Sequence, residues 1–149
     1  MSASSPDGEM VLTYRGAVYP RHLDHMGHMN IQFYIAKFDA AVWHLFDRIG
    51  VTADYIRTHN RGMAAVEMNV RYLKELGAGD LVSVRSGVLK VGGRTLDLVQ
   101  EMRLGEAGEL AAVMRVTAVH RDREARRAVP FPKEIAARAR ALLVDDPKT

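Results

Sequence analysis

The densest group of ionisable side chains lies in residues 22–30, which read HLDHMGHMN and directly precede a segment with helical spacing. A helix N-terminus offers unpaired backbone N–H groups and a partial positive charge, which can hold a phosphate, a carboxylate or the oxyanion of an attacked carbonyl. Asp24 lies just before this terminus, so its carboxylate could act as a general base on water or as a nucleophile. The stretch suits attack on a carbonyl group, although a plain turn-forming role fits Asp24 equally well.

The histidines of the same stretch raise a rival chemistry. His22, Asp24, His25 and His28 are of the types that bind zinc or another divalent ion. A further histidine at close upstream spacing is missing, so the match to metallohydrolase motifs is incomplete. The more distant ligands could come only from His44, His59 or His120. We therefore predict neither a metal nor a cofactor.

Composition bounds the class of protein. With 149 residues and 48% hydrophobic content, the chain suits one globular domain, which we predict over residues 10–145. Residues 1–9 lack a basic start and an apolar stretch, which predicts a flexible tail rather than a signal peptide. The sequence has no apolar run long enough to span a membrane, so we expect a cytoplasmic protein without a membrane partner. The absence of cysteine excludes disulfides, thiolate zinc sites and a cysteine nucleophile.

Apolar residues recur at spacings of three and four from Ile31 to Ile49, which predicts a long helix with one buried stripe that includes the Ile31 side chain. Asn30 suits its N-cap, and Gly50 suits a left-handed C-terminal cap. A short helix is predicted over residues 52–59, followed by a loop at residues 60–62. The last predicted helix begins at Pro132 and extends through Leu142.

Five segments have the composition of β-strands. In residues 66–72 apolar and polar side chains alternate, which predicts a strand with one covered face. The other predicted strands are Val11–Tyr19, Leu81–Val91, Thr95–Leu104 and Leu110–Asp122. The long helix must bury its stripe, so we predict an α+β fold in which a five-stranded antiparallel sheet wraps around it. Exposed sheet edges favour burial against a second copy, at least as a dimer.

The stretch DHMGHMN at residues 24–30, followed by Tyr34 and by FDAA at residues 38–41, resembles the signature of hotdog-fold acyl-CoA thioesterases of the 4-hydroxybenzoyl-CoA thioesterase type. The resemblance extends over residues 14–132 and includes VRYLK at 70–74, Gly79-Asp80 and GRT at 93–95. It implies a hotdog fold, hydrolysis of acyl-CoA without a cofactor, and active sites built between subunits of a homodimer or homotetramer. A non-catalytic module of the same fold that binds acyl-CoA or an acyl carrier is the alternative.

The resemblance also implies roles for single residues. Asp24 matches the catalytic aspartate, and the Ile31 backbone amide matches the group that polarises the thioester carbonyl. Supporting positions fall on Gly27, His28, Asn30 and Tyr34. Many relatives have an acidic residue in place of His22, Asn in place of Ile31 and Pro in place of Glu75. We hypothesise that a cationic His22 favours the ionised form of Asp24.

Basic side chains cluster towards the C-terminal end of a chain with a net charge of +3. We predict that the phosphates of coenzyme A are held by Lys90, Arg94, Thr95, Arg121 and Arg123. A solvated surface loop is the other interpretation of this cluster. Because no aromatic residue is interleaved with the arginines to stack on bases, we predict no nucleic-acid partner.

Overall fold

The computed structural model describes residues 8–147, so residues 1–7 of the predicted tail lie outside the described part. The helices are α1 (Ile31–Arg48), α2 (Ala53–His59) and α3 (Lys133–Arg140), and a short 3-10 turn spans Pro20–His22. The strands are β1 (Val11–Ala17), β2 (Arg61–Tyr72), β3 (Leu81–Val91), β4 (Thr95–Leu104), β5 (Leu110–Asp122) and β6 (Arg127–Ala128). No helix within residues 8–147 is long and apolar enough to cross a membrane.

Helix α1 forms where the apolar spacing predicts it. The Asn30 side chain accepts a hydrogen bond from the Gln32 backbone N–H at 3.0 Å, which confirms the predicted N-cap. Beyond the last turn, Gly50 has a φ of 103°, a left-handed conformation that suits glycine. Phe38 and Leu45 are completely buried in the core beneath the helix. The helix is therefore held by its buried stripe and stopped by its capping residues.

The strands form one antiparallel sheet in the order β1-β3-β4-β5-β2, with β6 paired to β5. Strands β3, β4 and β5 form the predicted meander. Strand β2 does not continue it, because the chain crosses over and β2 pairs with β5 at the far edge. The two-residue strand β6 was not predicted from the sequence. The α+β prediction is confirmed.

Two strand boundaries differ from the prediction. The predicted loop at residues 60–62 ends at Asn60, whose φ of 53° makes the turn, and Arg61 already pairs with Asp122 in the β2–β5 ladder. At the other boundary β1 ends at Ala17, two residues before the predicted end, although the Val18 N–H still donates to Asp80 O at 2.9 Å. Pairing between residues distant in sequence therefore extends β2 beyond its predicted start.

The apolar face of β2 is exposed, so the prediction of a covered face is wrong for the single chain. Val66 is 63% exposed and Met68 44% exposed. Helix α1 packs chiefly against β1 and β3, and the contact of its Tyr34 ring with Tyr72 is at the C-terminal end of β2. In addition, the ladder shifts register between Ala65 and Glu67, which interrupts the alternation of side chains.

A chain of buried polar groups fixes α1 to the middle of the sheet. The Gln100 side-chain amide donates to Phe38 O at 3.2 Å and to Ser86 Oγ at 3.1 Å. Ser86 Oγ in turn lies 2.8 Å from Thr13 Oγ1. Because buried polar groups are costly without partners, these bonds favour one position of the helix on the sheet.

We expect Leu45→Ala to lower the free energy of unfolding by about 2–5 kcal/mol, because it leaves a cavity beneath α1. His44→Ala, at the exposed neighbouring position, should change it by less than about 0.5 kcal/mol. Urea denaturation followed by circular dichroism measures both values. Equally small effects for the two variants would contradict the placement of Leu45 in the core.

Candidate active site

The loop that carries Asp24 is a closed turn between the 3-10 turn and α1. Leu23 and Met29 form an isolated β-bridge across its base. Inside it, the Gly27 N–H donates to Asp24 O at 3.0 Å, and Gly27 adopts a φ of 85° that glycine reaches without strain. The Met29 N–H donates to Leu76 O at 2.7 Å and fastens the loop to the segment after β2. Backbone bonds thus hold Asp24 at the start of the helix.

The Asp24 carboxylate accepts two hydrogen bonds. Its Oδ2 accepts from Asn30 Nδ2 at 2.9 Å, and its Oδ1 accepts from the Met26 N–H at 2.8 Å. The bond from Asn30 is the main cause that lowers the pKa of Asp24 below its ordinary value, followed by the bond from Met26. Nearby His25 and His28 lower this pKa further. Asp24 is therefore held in its ionised form, as a base or a nucleophile requires.

His22 does not supply the cation that we hypothesised. Its Nδ1 accepts from the Tyr19 N–H at 3.0 Å, which leaves the neutral ring with its proton on Nε2. Burial lowers the pKa of His22, and the charges of Lys37 and Arg21 lower it further. A neutral ring cannot stabilise the Asp24 carboxylate as a cation would, so the hypothesis is wrong. The hydrogen bond from Asn30 is the main interaction that favours the ionised form of Asp24.

The His28 side chain contacts a carboxylate outside the loop. His28 Nε2 lies 2.6 Å from Glu75 Oε2, and both side chains are exposed. Within residues 8–147, no three His, Asp or Glu side chains are grouped so that they could hold a metal ion. The metallohydrolase alternative therefore lacks a ligand set in the described chain.

A cleft of about 320 Å³ opens at the N-terminal end of α1. It is lined by His28, Met29, Ile31, Tyr34 and residues 72–75. The Tyr34 hydroxyl donates to Lys74 O at 2.9 Å, and its ring meets the Tyr72 ring edge-on at 5.1 Å. Tyr34 therefore binds the helix to the far wall of the cleft.

Ile31 lies at the mouth of this cleft. Its side chain is 59% exposed, so the expectation that it packs in the helix stripe is wrong; the stripe begins at Tyr34. Among the hydrogen bonds of the described residues, none uses the Ile31 backbone N–H. The next amide, Gln32 N–H, is occupied by the Asn30 cap. The Ile31 N–H is thus available to an oxygen atom bound in the cleft.

The segment 72–75 was not predicted as part of the site. Residues 70–74 were noted only as part of the family resemblance, and Glu75 was noted only as a position where the chain differs from the family. Tyr34 and Lys74 are forty positions apart, so no local spacing connects them. The buried Leu76, whose carbonyl accepts from the Met29 N–H, is the residue that brings this segment to the loop.

The residues predicted to hold coenzyme A lie at the opposite end of the sheet, which we call the basic end: Lys90, Arg94, Thr95, Arg121 and Arg123. The Arg94 carbonyl accepts from the His120 N–H at 2.8 Å, and Arg123 Nη1 donates to Asn60 Oδ1 at 3.2 Å. Strand β3 runs from the end of the sheet near the Asp24 loop to the basic end. Its eleven residues span roughly 30 Å, which is the separation of the two ends. A single chain therefore does not bring the basic end to the cleft.

Comparison with known proteins identifies the family. Residues 18–139 match the thioesterase-like superfamily. The chain belongs to this superfamily. The match includes the Asp24 loop, α1 and the whole β2–β5 sheet, so the resemblance seen in the sequence is confirmed.

One relative in sequence and two solved structures give consistent likenesses. The chain is 26% identical over 134 residues to a betainyl-CoA thioesterase from Pseudomonas aeruginosa, covering 90% of this chain and 84% of that protein. It superposes with a TM-score of 0.83 on a hypothetical protein from Staphylococcus aureus in complex with CoA, at 21% identity, covering 94% and 89% of the two chains. A 1,4-dihydroxy-2-naphthoyl-CoA thioesterase from Synechocystis gives a TM-score of 0.75 at 16% identity, covering 86% and 94%. The two structural likenesses show a shared fold.

Asn30 both caps α1 and donates to the Asp24 carboxylate. Asn30→Ser should separate these two roles, since serine also caps helices but has no amide N–H to donate to Asp24. We expect the pKa of Asp24 to rise towards its ordinary value, while the free energy of unfolding at neutral pH changes by no more than about 1 kcal/mol. Carboxyl ¹³C NMR titration measures this pKa.

The sign of the pH dependence follows from the lowered pKa. Asp24 stabilises the fold above the ordinary aspartate pKa, and this contribution is lost as pH falls through the folded-state pKa. The stability advantage of the parent over Asn30→Ser should therefore shrink in acid. An unchanged Asp24 pKa in the variant would contradict the assigned role of Asn30.

Proposed function

We propose that this chain hydrolyses acyl-CoA thioesters to the free acid and coenzyme A at the cleft beside α1. The observation that carries the proposal is the ionised Asp24 carboxylate, bonded through Asn30 to the helix that presents the free Ile31 N–H. Membership of the thioesterase-like superfamily supports the reaction class. No cofactor takes part.

The Ile31 N–H is the proposed oxyanion donor. When the thioester carbonyl is attacked, its oxygen becomes negatively charged, and a fixed N–H at a helix N-terminus stabilises this charge more than the neutral carbonyl. The first turn does not need to reorganise, because Asn30 already holds the neighbouring Gln32 N–H. The donor is therefore preorganised.

Asp24 has two possible roles in the attack. As a general base it takes a proton from water while the water oxygen bonds to the carbonyl carbon; the C–S bond then breaks, and the sulfur leaves with that proton as the thiol. As a nucleophile it bonds to the carbonyl carbon and expels the thiolate, and water then hydrolyses the resulting anhydride. Both roles need the ionised carboxylate, and the lowered pKa of Asp24 supplies it.

Asp24→Asn keeps the size of the side chain and removes its charge. We expect it to lower kcat by at least about 100-fold, because either role requires the carboxylate. Thiol release should be measured on aliphatic and aromatic acyl-CoA esters, together with betainyl-CoA and 1,4-dihydroxy-2-naphthoyl-CoA, for which two similar proteins are named. Asp47→Asn, an exposed carboxylate near the other end of α1, is the matched control.

The panel also separates the two functional hypotheses. Turnover by the parent that is lost in Asp24→Asn and retained in Asp47→Asn supports the hydrolase. If the parent binds acyl-CoA but releases no thiol from any ester, the non-catalytic binding module replaces it. Equal turnover by the parent and Asp24→Asn would remove Asp24 from the mechanism.

We propose the hotdog arrangement for the subunit, with the sheet wrapped around α1, and a homodimer in which two β2 strands pair antiparallel. Strand β2 is a sheet edge whose apolar residues Val66 and Met68 are exposed, and a second copy would cover both. Antiparallel pairing sets the Arg61 end of one strand beside the Tyr72 end of the other. The basic end of one subunit then approaches the cleft of its partner, where its charges can hold the phosphates of coenzyme A.

Val66→Lys should disrupt this pairing, because it places a charge on the edge that we propose to be buried. We expect a monomer with strongly reduced turnover, while the mass of Leu81→Lys remains that of the parent. Leu81 is the matched control, since both side chains are 63% exposed and Leu81 lies on β3. Light scattering coupled to gel filtration measures the mass and distinguishes dimer from tetramer. A Val66→Lys protein of parental mass would contradict the proposed interface.

A further inference from the structure

A second cleft of about 370 Å³ lies between β1 and α1. Three aromatic side chains line it: Tyr14, Tyr19 and Phe33. Its volume falls within the range of small-molecule sites, and none of its lining residues belongs to the first cleft. Phe33 and Lys37 face this cleft from α1, whereas Ile31 and Tyr34 face the first one, so the helix separates the two.

Lys37 is the unusual residue of this cleft. Only 6% of it is exposed, and its ammonium group donates to Ala17 O at 3.2 Å. No carboxylate within residues 8–147 forms an ion pair with it, and no acidic residue lines the cleft. Its Nζ also lies 5.8 Å from the Tyr14 ring centroid, but an ammonium group has three N–H donors, so one carbonyl and one ring leave its hydrogen-bonding capacity incomplete. Burial lowers the pKa of Lys37, and the charge of Arg21 lowers it further, which agrees with two cations that lack a counter-ion.

Two further donors lie beside Lys37. Arg21 extends over the Tyr19 ring with its guanidinium carbon 4.6 Å from the centroid, and it forms no ion pair with a described carboxylate. His22 uses Nδ1 as an acceptor, so the proton on its Nε2 makes that atom a donor. Its ring lies 4.7 Å from the Phe33 ring. The cleft thus combines cationic and N–H donors with flat apolar walls.

We propose that this cleft binds a small organic carboxylate with a planar apolar body. The carboxylate would supply the counter-ion that Lys37 lacks, through a charge-assisted hydrogen bond to a side chain that is largely buried. The aromatic walls would contact the flat face of the ligand. A bare inorganic anion would satisfy the charge but leave these walls unused.

The site also adjoins the candidate active site. The His22 carbonyl accepts from the Asn30 N–H at 2.9 Å, and the Asn30 side chain holds Asp24. A ligand against the His22 ring would therefore contact the residue whose carbonyl accepts from the N-cap of α1. The proposed binding does not depend on hydrolase activity, because it is measured without coenzyme A or any ester.

The experiment compares benzoate with benzamide, which has a similar shape and no charge, by isothermal titration calorimetry at neutral pH. We expect benzoate to bind the parent at least roughly tenfold more tightly than benzamide, as the loss of a charged hydrogen bond implies. Lys37→Met keeps an apolar side chain in the same space and should weaken benzoate binding by a similar factor. Lys133→Met, at an exposed position on α3, is the matched control and should bind as the parent does.

Amide NMR shifts locate the bound benzoate. Changes at Gly16, Ala17 and Phe33 support the proposed cleft, whereas changes confined to His28 and Leu73 would place benzoate in the first cleft and overturn it. Absence of benzoate binding by the parent, equal affinity for benzamide, or unchanged affinity in Lys37→Met would each overturn it too. Inorganic phosphate that binds as tightly as benzoate would overturn the requirement for a planar body. A melting temperature measured for Lys37→Met verifies that the variant is folded.

Discussion

The candidate site depends on one side chain that makes two hydrogen bonds in opposite senses. The Asn30 carbonyl oxygen accepts from the first turn of α1, and its amide nitrogen donates to the Asp24 carboxylate. A side-chain amide has its acceptor and its donors on two separate atoms of one planar group, whereas an ionised aspartate at this position could accept but not donate. The carboxylate and the helix terminus therefore have a fixed geometry relative to each other. The β-bridge between Leu23 and Met29 and the buried tie to Leu76 hold this unit against the rest of the chain.

Much of the fold could be predicted from local signals. The apolar spacing and the two capping residues locate α1 almost to the residue, and the glycine-rich turns separate β3, β4 and β5 at their observed ends. The crossing of β2 to pair with β5 could not be predicted, because strand order is decided by contacts between residues far apart in sequence. The exposure of Val66 depends on which strands α1 covers, and alternation alone does not contain that information.

The candidate site was predictable to a similar extent. Asp24 and Asn30 lie within six residues of each other, so their proximity follows from the loop itself. The far wall of the cleft at residues 72–75 follows only from the tertiary structure. The hypothesis for His22 failed because the sequence reveals a residue type but not its hydrogen bonds; the bond from the Tyr19 N–H decides that the ring is neutral. The sequence also does not reveal how far the basic end lies from the cleft, because this distance depends on the direction in which the strands run.

The buried bond between Gln100 and the Phe38 carbonyl has a consequence for the order of folding. Residue 100 lies on β4, 62 positions after Phe38, so α1 can acquire this anchor only when β4 lies beside it. Contacts of such large sequence separation form slowly, because a long loop must close first. During synthesis, the helix can form early from its own spacing and caps. Its anchor to Gln100 can form only when the chain has emerged through β4.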